Sequence, residues 1–182
     1  MAAGYKLGQP YRIGTMWYVP REEPGFDRTG TGSWYGADFH GRLTANGETY
    51  NMDALTAAHP TLPLPSYVSV TNLSNNRTIL VRVNDRGPYV GGRLIDLSRA
   101  GARALGYETH GTATLRVRYA GRAPLNGDDT RERQYLASQP WFGSQVAGGW
   151  DPDRGRVANA QPAPSRPKEG ASAWSKFWGL GG

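Results

Sequence analysis

Two carboxylates in this chain lie where a turn begins or ends, which is where catalytic side chains are often held. Asp85 follows the alternating run at residues 78–83 and comes just before a Gly-Pro turn, while Glu48 follows Asn46-Gly47. A carboxyl group on a loop that is anchored by a rigid strand can work as a general acid or base. Each residue also has a structural interpretation, Asp85 as the cap of an Asx turn and Glu48 as an exposed hairpin residue.

Histidine and aromatic side chains near these carboxylates widen the range of chemistry. His59 follows a short apolar segment and fits either a site residue or a hydrogen-bonded structural histidine. Trp34 and Tyr35 end a predicted strand at residues 29–35. There they can stack on the apolar faces of sugars, or they can fill a core.

Metal and cofactor chemistry is not predicted. The chain has no cysteine, and His40 and His110 have no companion ligands at metal-site spacing. The sequence also has no glycine-rich loop of the P-loop or dinucleotide-binding type. We therefore predict no metal site and no cofactor.

The elements that position the candidate residues are predicted to be short strands. Residues 78–83 alternate with period two, so Ile79, Val81 and Val83 share one face. The other predicted strands lie at residues 29–35, 43–50 (a hairpin around Asn46-Gly47), 67–71, 93–97 and 112–119, and residues 55–58 are a short apolar segment. A short helix is predicted at residues 99–105, capped by Ser98 or by Asp96, which we interpret as structural. This density of short strands indicates an all-β fold, a small barrel of about six strands with one short helix.

The segments on either side of the predicted barrel differ from it in composition. Residues 1–28 are polar and rich in Gly and Pro, with a hairpin predicted at residues 11–13 and 16–19 and a linker or strap at residues 20–26. In residues 121–182 the alternation stops and Gly, Pro, Ser, Ala and Asn dominate, which indicates an irregular tail. We therefore predict an N-terminal extension at residues 1–28, a barrel at residues 29–120 and an irregular tail at residues 121–182.

The tail carries four of the six tryptophans: Trp141, Trp150, Trp174 and Trp178. Trp174, Phe177 and Trp178 are spaced so that residues 171–180 can form a helical turn or two with one aromatic face. Because isolated helices of this length are marginal, a tail that docks on its own barrel or on nothing is the favoured interpretation. The alternative is a docking peptide for an envelope partner or a membrane surface.

Length and charge limit the choice of partners. The chain has 182 residues and a net charge of +6, which suggests one domain with appendages and favours an anionic partner. The basic residues are spread out and form no Lys/Arg run, so binding to nucleic acid ranks last. The sequence shows no apolar run of transmembrane length and no signal peptide. If the natural protein is exported, its targeting segment has been removed from this sequence.

Several long motifs resemble the rare-lipoprotein-A (RlpA) family of bacterial septal lytic transglycosylases. They are GSWYG (residues 32–36), FHGRLTANGE (39–48), LTAAHPTLPLPSYVSVTNL (55–73) and VRVNDRGPYVGGRLIDLSRAGARALG (81–106). The resemblance covers residues 29–119 almost without gaps and implies a double-psi β-barrel. Expansins and barwin-like proteins share that barrel and use it to line a glycan groove.

The resemblance also implies a set of site residues. The catalytic set is Asp85 as the acid/base, Glu48 as its carboxylate partner, and His59 as a residue that orients one of them or binds substrate. For substrate binding we name the residues beside these motifs: Trp34, Tyr35, Asn84, Arg86 and Tyr89.

The implied reaction needs two proton transfers. A lytic transglycosylase cuts the β-1,4 bond between MurNAc and GlcNAc by attack of the MurNAc C6 hydroxyl, which leaves a 1,6-anhydro ring. One carboxyl group can act first as acid and then as base, provided that its pKa is raised. A second carboxylate raises that pKa by repulsion and stabilises an oxocarbenium-like transition state. Arg86 would lower the pKa of Asp85 if it faced that carboxyl, so we expect Arg86 to point away and to hold the loop.

The partners and location follow from the same resemblance. It implies that the substrate is the glycan strands of peptidoglycan, peptide-free strands included. It also implies a periplasmic location, with an outer-membrane anchor in the full-length form. The sequence lacks a lipobox cysteine and a SPOR-like domain, so targeting to septal glycan is not implied. The alternatives are a non-catalytic, expansin-like module that binds peptidoglycan, and an interaction protein whose tail docks on a divisome partner.

Overall fold

The computed structural model describes residues 3–143, and a closed β-barrel forms its centre. The strands are β1 Tyr11–Ile13, β2 Met16–Tyr18, β3 Asp27–Tyr35, β4 Thr56–Ala58, β5 Ser66–Asn72, β6 Arg77–Asp85, β7 Ile95–Ser98 and β8 Ala113–Arg122; the helices are α1 Arg99–Leu105 and α2 Thr130–Ala137. The barrel strands follow the order β3-β7-β4-β6-β5-β8. The pairs β3/β7 and β4/β6 are parallel and the other four are antiparallel. The prediction of a small six-stranded barrel is therefore confirmed.

The barrel interior is filled by the alternating residues of its strands. Ile79, Val81 and Val83 of β6 are fully buried, as predicted. The opposite face of β6 is buried as well, because Leu80 packs with Tyr67, Ala123 and Tyr135. A period-two pattern predicts one buried face, and the second is covered here by chain that follows the barrel.

The short helix α1 has the bounds predicted for it. Ser98 is its cap, since its Oγ accepts a hydrogen bond from the Gly101 N–H at 3.2 Å, and Gly106 ends the helix with a φ of 80°. Asp96 does not cap the helix. It is fully buried in β7, and its Oδ1 accepts a hydrogen bond from the Ser33 hydroxyl at 2.6 Å.

A second helix, α2, lies within the tail at residues 121–182 that the sequence predicted to be largely irregular. Two aspartates accept hydrogen bonds at its start. The Thr130 N–H donates to the Asp128 carboxylate at 3.0 Å, and the Arg133 Nε donates to the Asp129 carboxylate at 2.6 Å. Leu136 and Glu132 are buried against the barrel. Tertiary packing stabilises a helix of this length, and that packing leaves little mark on the local sequence.

Parts of the tail prediction fall on residues that the structure does not describe. Trp150 and the helical turn at residues 171–180 lie outside residues 3–143. Trp141 lies inside them, where it packs against the main core cluster and has the Arg77 guanidinium over its ring at 5.2 Å. Within the described part of the chain, no helix is long and apolar enough to cross a membrane.

The N-terminal segment crosses the barrel as a surface strap. The predicted hairpin is confirmed, with β1 and β2 paired antiparallel so that Tyr11 lies opposite Tyr18. We use the name strap for residues 4–21. The division of the chain at residues 28/29 and 120/121 stays a prediction.

Candidate functional site

Asp85 ends strand β6 with its carboxylate held by main-chain donors. The residue is 3% exposed, and its Oδ1 accepts hydrogen bonds from the N–H groups of Ala45 at 2.9 Å and Arg86 at 2.8 Å. Its carbonyl accepts from the His59 N–H at 3.0 Å. Three chain segments therefore meet at this one residue and fix the direction of its side chain.

Glu48 lies at the same edge of the barrel in a cage of side-chain donors. Arg82 Nε donates to both of its oxygens, at 2.9 and 3.1 Å, Asn84 donates at 2.8 Å and Asn46 at 3.0 Å. Burial by itself would raise the pKa of Glu48. The hydrogen bonds from these three residues outweigh it and hold that pKa below its ordinary value. Glu48 is thus a carboxylate at neutral pH.

The turn that carries Glu48 runs beside the end of β6. The Asn46 N–H reaches the carbonyl of Asn84 at 3.4 Å, while the neighbouring Ala45 N–H reaches the side chain of Asp85. The turn itself is closed by a bond from the Gly47 N–H to the Thr44 carbonyl at 3.0 Å. The two predicted carboxylates are therefore brought to one edge of the barrel by tertiary pairing.

His59 is buried beside them as a neutral imidazole. Its Nδ1 accepts from the N–H groups of Thr61 and Leu62, each at 3.1 Å, so the ring proton belongs on Nε2. Burial, followed by the positive charges of Arg86 and Arg28, lowers the pKa of His59 to about 3. Such a ring organises the loop that follows it and does not donate protons as an imidazolium near pH 7.

Arg86 directs its guanidinium at backbone carbonyls, in agreement with the expectation that it holds the loop. Its Nη1 donates to the carbonyls of His59 at 3.1 Å and Leu62 at 2.5 Å, and its Nη2 donates to the carbonyl of Leu7 at 2.7 Å. Arg86 therefore ties the loop after β6 to the loop after β4 and to the strap.

The predicted aromatic residues separate into two environments. Tyr89, just beyond Asp85, is partly buried and meets Tyr11 and Tyr18 edge-on, with ring centroids 6.0 and 5.2 Å away. Burial raises the pKa of Tyr89, so its hydroxyl stays protonated.

Trp34 and Tyr35 pack within the fold. Tyr35 is 3% exposed and packs on Tyr50 with ring centroids 4.4 Å apart, so it has no open face for a sugar ring to stack on. Trp34 packs against the main core cluster and donates its indole N–H to the Glu108 carbonyl at 3.0 Å. We correct the expectation of sugar stacking for Tyr35 on this ground, because the barrel core takes up its ring.

Two further polar residues, Arg82 and Asp96, lie near the site and were not among the predicted site residues. Arg82 alternates with the inward-facing residues of β6 and was expected on an outer face, yet it is 4% exposed and bonded to Glu48. Arg82 lies two residues before Asn84, a predicted site residue, and side chains at i and i+2 of a strand share a face. This spacing could have identified Arg82 from the sequence. Asp96 lies in the same cross-strand row as Asp85, with Ala58 between them, and burial raises the pKa of Asp96.

Residues 3–143, the described part of the chain, contain no group of three or more His, Cys, Asp or Glu side chains that could hold a metal ion.

The sequence of this barrel is similar to a family model and to the sequences of known proteins. Residues 27–119 match the family model described as lytic transglycolase. A protein of Pseudomonas aeruginosa (strain UCBPP-PA14) named endolytic peptidoglycan transglycosylase RlpA is 54% identical over 115 residues, which are 63% of this chain and 34% of that protein. A protein of the same name from Neisseria meningitidis serogroup A is 51% identical over 108 residues, 59% of this chain and 45% of that protein. The chain thus spans less than half the length of these curated relatives.

Solved structures also include similar chains. The Streptomyces papain inhibitor is 24% identical, with a TM-score of 0.46, over 55% of this chain and 99% of that one. A likeness of this size carries no functional conclusion.

Proposed function

This chain belongs to the lytic transglycolase family, and from that membership we propose that it is an endolytic peptidoglycan transglycosylase. The observation that carries the proposal is the placing of Asp85 beside Glu48. One carboxyl group is held by the amides of Ala45 and Arg86, and the other is kept ionised by Arg82. Two carboxyl groups in unlike environments suit the two roles that glycosidic cleavage requires.

In the proposed reaction Asp85 transfers both protons. Its carboxylic acid donates a proton to the oxygen between MurNAc and GlcNAc as the bond to the MurNAc anomeric carbon breaks. The resulting carboxylate then accepts the proton of the MurNAc C6 hydroxyl, whose oxygen bonds to that carbon and closes the 1,6-anhydro ring. Because two amides bind Oδ1, we assign the proton transfers to Oδ2.

Glu48 supplies negative charge. Its carboxylate stabilises the oxocarbenium-like transition state. Its repulsion favours the protonated form of Asp85 and opposes the main-chain N–H groups of Ala45 and Arg86, which favour the charged form. Arg82 keeps Glu48 ionised, so its negative charge is present at neutral pH.

The other residues position these two or contact the glycan. His59 positions Asp85 through its main-chain N–H, and Arg86 holds the loops together. We assign glycan contacts to Asn84, next to both carboxylates, and to Tyr89, on the loop that follows Asp85. Trp34 and Tyr35 pack within the fold and are not assigned contacts.

The proposed substrate sets the location and partners. Peptidoglycan glycan strands, peptide-free strands included, place the protein in the cell envelope, on the periplasmic side. Anchoring to the outer membrane and docking of the tryptophan-bearing tail on a division protein are finer proposals. Fractionation of cells that express the full-length protein, with and without residues 144–182, tests both.

The deciding experiment is mass spectrometry of products released from purified peptidoglycan, both intact and amidase-stripped. We expect anhydro-ended glycans from the wild type. Asp85→Asn should lower their rate of release by about 10²-fold or more, because it removes the general acid. Glu48→Gln should lower it by about 10²-fold, because it removes the stabilising charge.

The matched control is Asp27→Asn, which removes a carboxylate from an exposed ion pair with Arg116 on the barrel surface. It should release products at the wild-type rate. Products with reducing ends would identify a hydrolase. Sedimentation of the wild type with sacculi, without any product, would favour the expansin-like binding module.

A further inference from the structure

The strap contacts three loops around the proposed acid pair. One carries Glu48, one follows Asp85, and one follows β4 and contacts Asp85 through His59. We propose that the strap is a clamp that positions Asp85 and Glu48, and that Tyr11 is its central positioning residue. This inference rests on the proposed transglycosylase activity and assigns a role to chain outside the family-matched residues 27–119.

The first loop that the strap contacts is the turn at residues 44–48. The Gly4 N–H donates to the Asn46 carbonyl and the Lys6 Nζ donates to the Ala45 carbonyl, each at 3.1 Å. Ala45 and Asn46 are also the residues that donate from the other side to Asp85 and Glu48. The strap therefore holds the carbonyls of the two residues whose donors bind the carboxylates.

The second loop follows β4, at residues 59–65. Lys6 and Leu64 exchange two main-chain hydrogen bonds, at 2.6 and 2.8 Å, as in a short antiparallel bridge. The Tyr11 hydroxyl donates to the Pro60 carbonyl at 2.7 Å. This loop begins at His59, whose N–H binds the carbonyl of Asp85.

The third loop follows Asp85 itself. Arg86 donates its Nη2 to the carbonyl of Leu7, so an arginine beside the proposed acid is anchored on the strap. Further along the loop, Tyr89 meets the stacked rings of Tyr11 and Tyr18, which lie 5.3 Å apart. The strap thereby contacts this loop at its first residue and again at Tyr89.

Tyr11 reaches two of these loops with one side chain. Its hydroxyl binds the second loop through Pro60, and its ring packs on Tyr89 of the third. Many of the strap's other contacts use main-chain atoms, which a substitution does not remove. A shift of about 1 Å in reacting groups can cost about 10²-fold in rate, so loss of Tyr11 should act on catalysis.

The opposite face of the same hairpin provides a matched control. Successive residues of a strand point to opposite faces, so Trp17 points away from the face that Tyr11 and Tyr18 share. Trp17 is 62% exposed. Its replacement removes an aromatic ring from the hairpin and leaves the clamp in place.

The test compares Tyr11→Ala, Tyr11→Phe and Trp17→Ala in the full chain. The first measurement is kcat and KM for anhydro-product release from amidase-stripped glycan strands. We expect Tyr11→Ala to lower kcat by about 10²-fold and to change KM by less than about twofold, because the groups are misplaced and the glycan contacts remain. Tyr11→Phe keeps the ring and loses the hydrogen bonds of the hydroxyl with Pro60 and Tyr89, so its kcat should fall by about 3- to 10-fold. Trp17→Ala should match the wild type.

The second measurement is hydrogen exchange, which does not depend on activity. In Tyr11→Ala the amides of Ala45 and Arg86, the two donors to Asp85, should exchange about 10-fold faster or more. The amides of Val70 and Val81 in the barrel should exchange at the wild-type rate. If those barrel amides also exchange faster, the variant has lost its fold and Tyr11→Phe decides the question.

Two results would overturn the proposed clamp. The first is a wild-type kcat in Tyr11→Ala, with or without a raised KM, since a change in KM alone belongs to a residue that only binds substrate. The second is unchanged exchange at both Ala45 and Arg86. A wild type without anhydro products would refute the proposed function instead. The exchange at Ala45 and Arg86 would then still decide whether the strap positions Asp85.

Discussion

Two glutamates that interact with Arg82, the half-buried Glu48 and the buried Glu132, have opposite protonation behaviour. Glu48 receives two hydrogen bonds from the Arg82 Nε, and its pKa is lowered despite its burial. Glu132 of α2 is 1% exposed, and burial raises its pKa to about 7, with Arg82 acting on it only through space. Tyr67 donates to one of its oxygens at 3.4 Å, and the other has no hydrogen-bond partner among residues 3–143.

The difference shows that burial alone does not set the charge of a carboxyl group in this protein. Burial opposes the charged form in both cases. Direct hydrogen bonds from a cation and two amides reverse that effect at Glu48. At Glu132 a hydrogen bond from its own main-chain N–H, the charge of Arg82 and the long hydrogen bond from Tyr67 do not reverse it. The glutamate beside the proposed acid is therefore the one that stays ionised, and the glutamate that packs α2 on the barrel titrates near neutral pH.

The largest effect on this comparison should come from Arg82→Met. The substitution leaves Glu48 buried without its cation, and breaking a buried ion pair in this way typically costs about 3–5 kcal/mol. We expect a loss of that size in the free energy of unfolding, measured by denaturant titration at pH 7, together with loss of product release.

Two variants control for other effects of removing an arginine. Arg116→Met breaks the exposed ion pair with Asp27 and should leave the free energy of unfolding close to the wild-type value. In the double variant Arg82→Met/Glu48→Gln, more than half of the lost stability should return, because no unpaired charge remains. A loss below about 1 kcal/mol in Arg82→Met would mean that Glu48 is held by its amide partners instead.

The next effect should be the pH dependence that Glu132 imposes on stability. Its folded pKa of about 7 lies above the ordinary value of 4.5, so the folded state binds the proton more tightly than the unfolded state does. The contribution of Glu132 is present below about pH 4.5 and is lost as the pH rises to about 7, by about 3 kcal/mol in total.

Glu132→Gln isolates this contribution. The difference between wild type and variant in the free energy of unfolding should change by about 3 kcal/mol between pH 4.5 and pH 7, in favour of the variant at the higher pH. Denaturant titrations in steps across that range measure it. A difference that stays constant with pH would show that Glu132 titrates at its ordinary value and that Arg82 compensates for its burial.

The smallest effect should come from Tyr67→Phe, which removes the hydroxyl that donates to Glu132. The hydrogen bond favours the charged carboxylate, so its loss should raise the pKa of Glu132 further, by less than about one unit. The upper end of the pH range over which stability is lost should move upward by the same amount. A downward shift would contradict the role given to this hydroxyl.

Much of the barrel was predictable because its signals are local. The alternation at residues 78–83 placed Ile79, Val81 and Val83 inside, and Asn46-Gly47 marked a real turn. Ser98 and Gly106 defined the ends of α1 through contacts within a few residues. The placing of Asp85 and Glu48 at element ends also followed from turn residues beside them.

The failures share one physical cause, which is contact between segments distant in the chain. α2 forms where Tyr135 packs on Tyr67 and Leu80 and Leu136 packs into the main core cluster, and the local composition around it is that of a loop. Tyr35 has the pattern of a strand-end aromatic residue, and only its packing on Tyr50 removes it from the surface. The strap was expected to lie along the surface, and its contacts with three loops appear only in the fold.

The sequence by itself determined the period of the strands, the positions of the turns and the residue types available at the site, because these depend on residues that are close together in the chain. The tertiary structure decided which of those residues meet and which charges they carry. Arg82 reaches Glu48 across the barrel edge, the strap reaches Ala45 and Arg86, and burial leaves His59 neutral. Protonation depends on donors, charges and solvent within a few ångströms, and closure of the barrel is what brings those groups together.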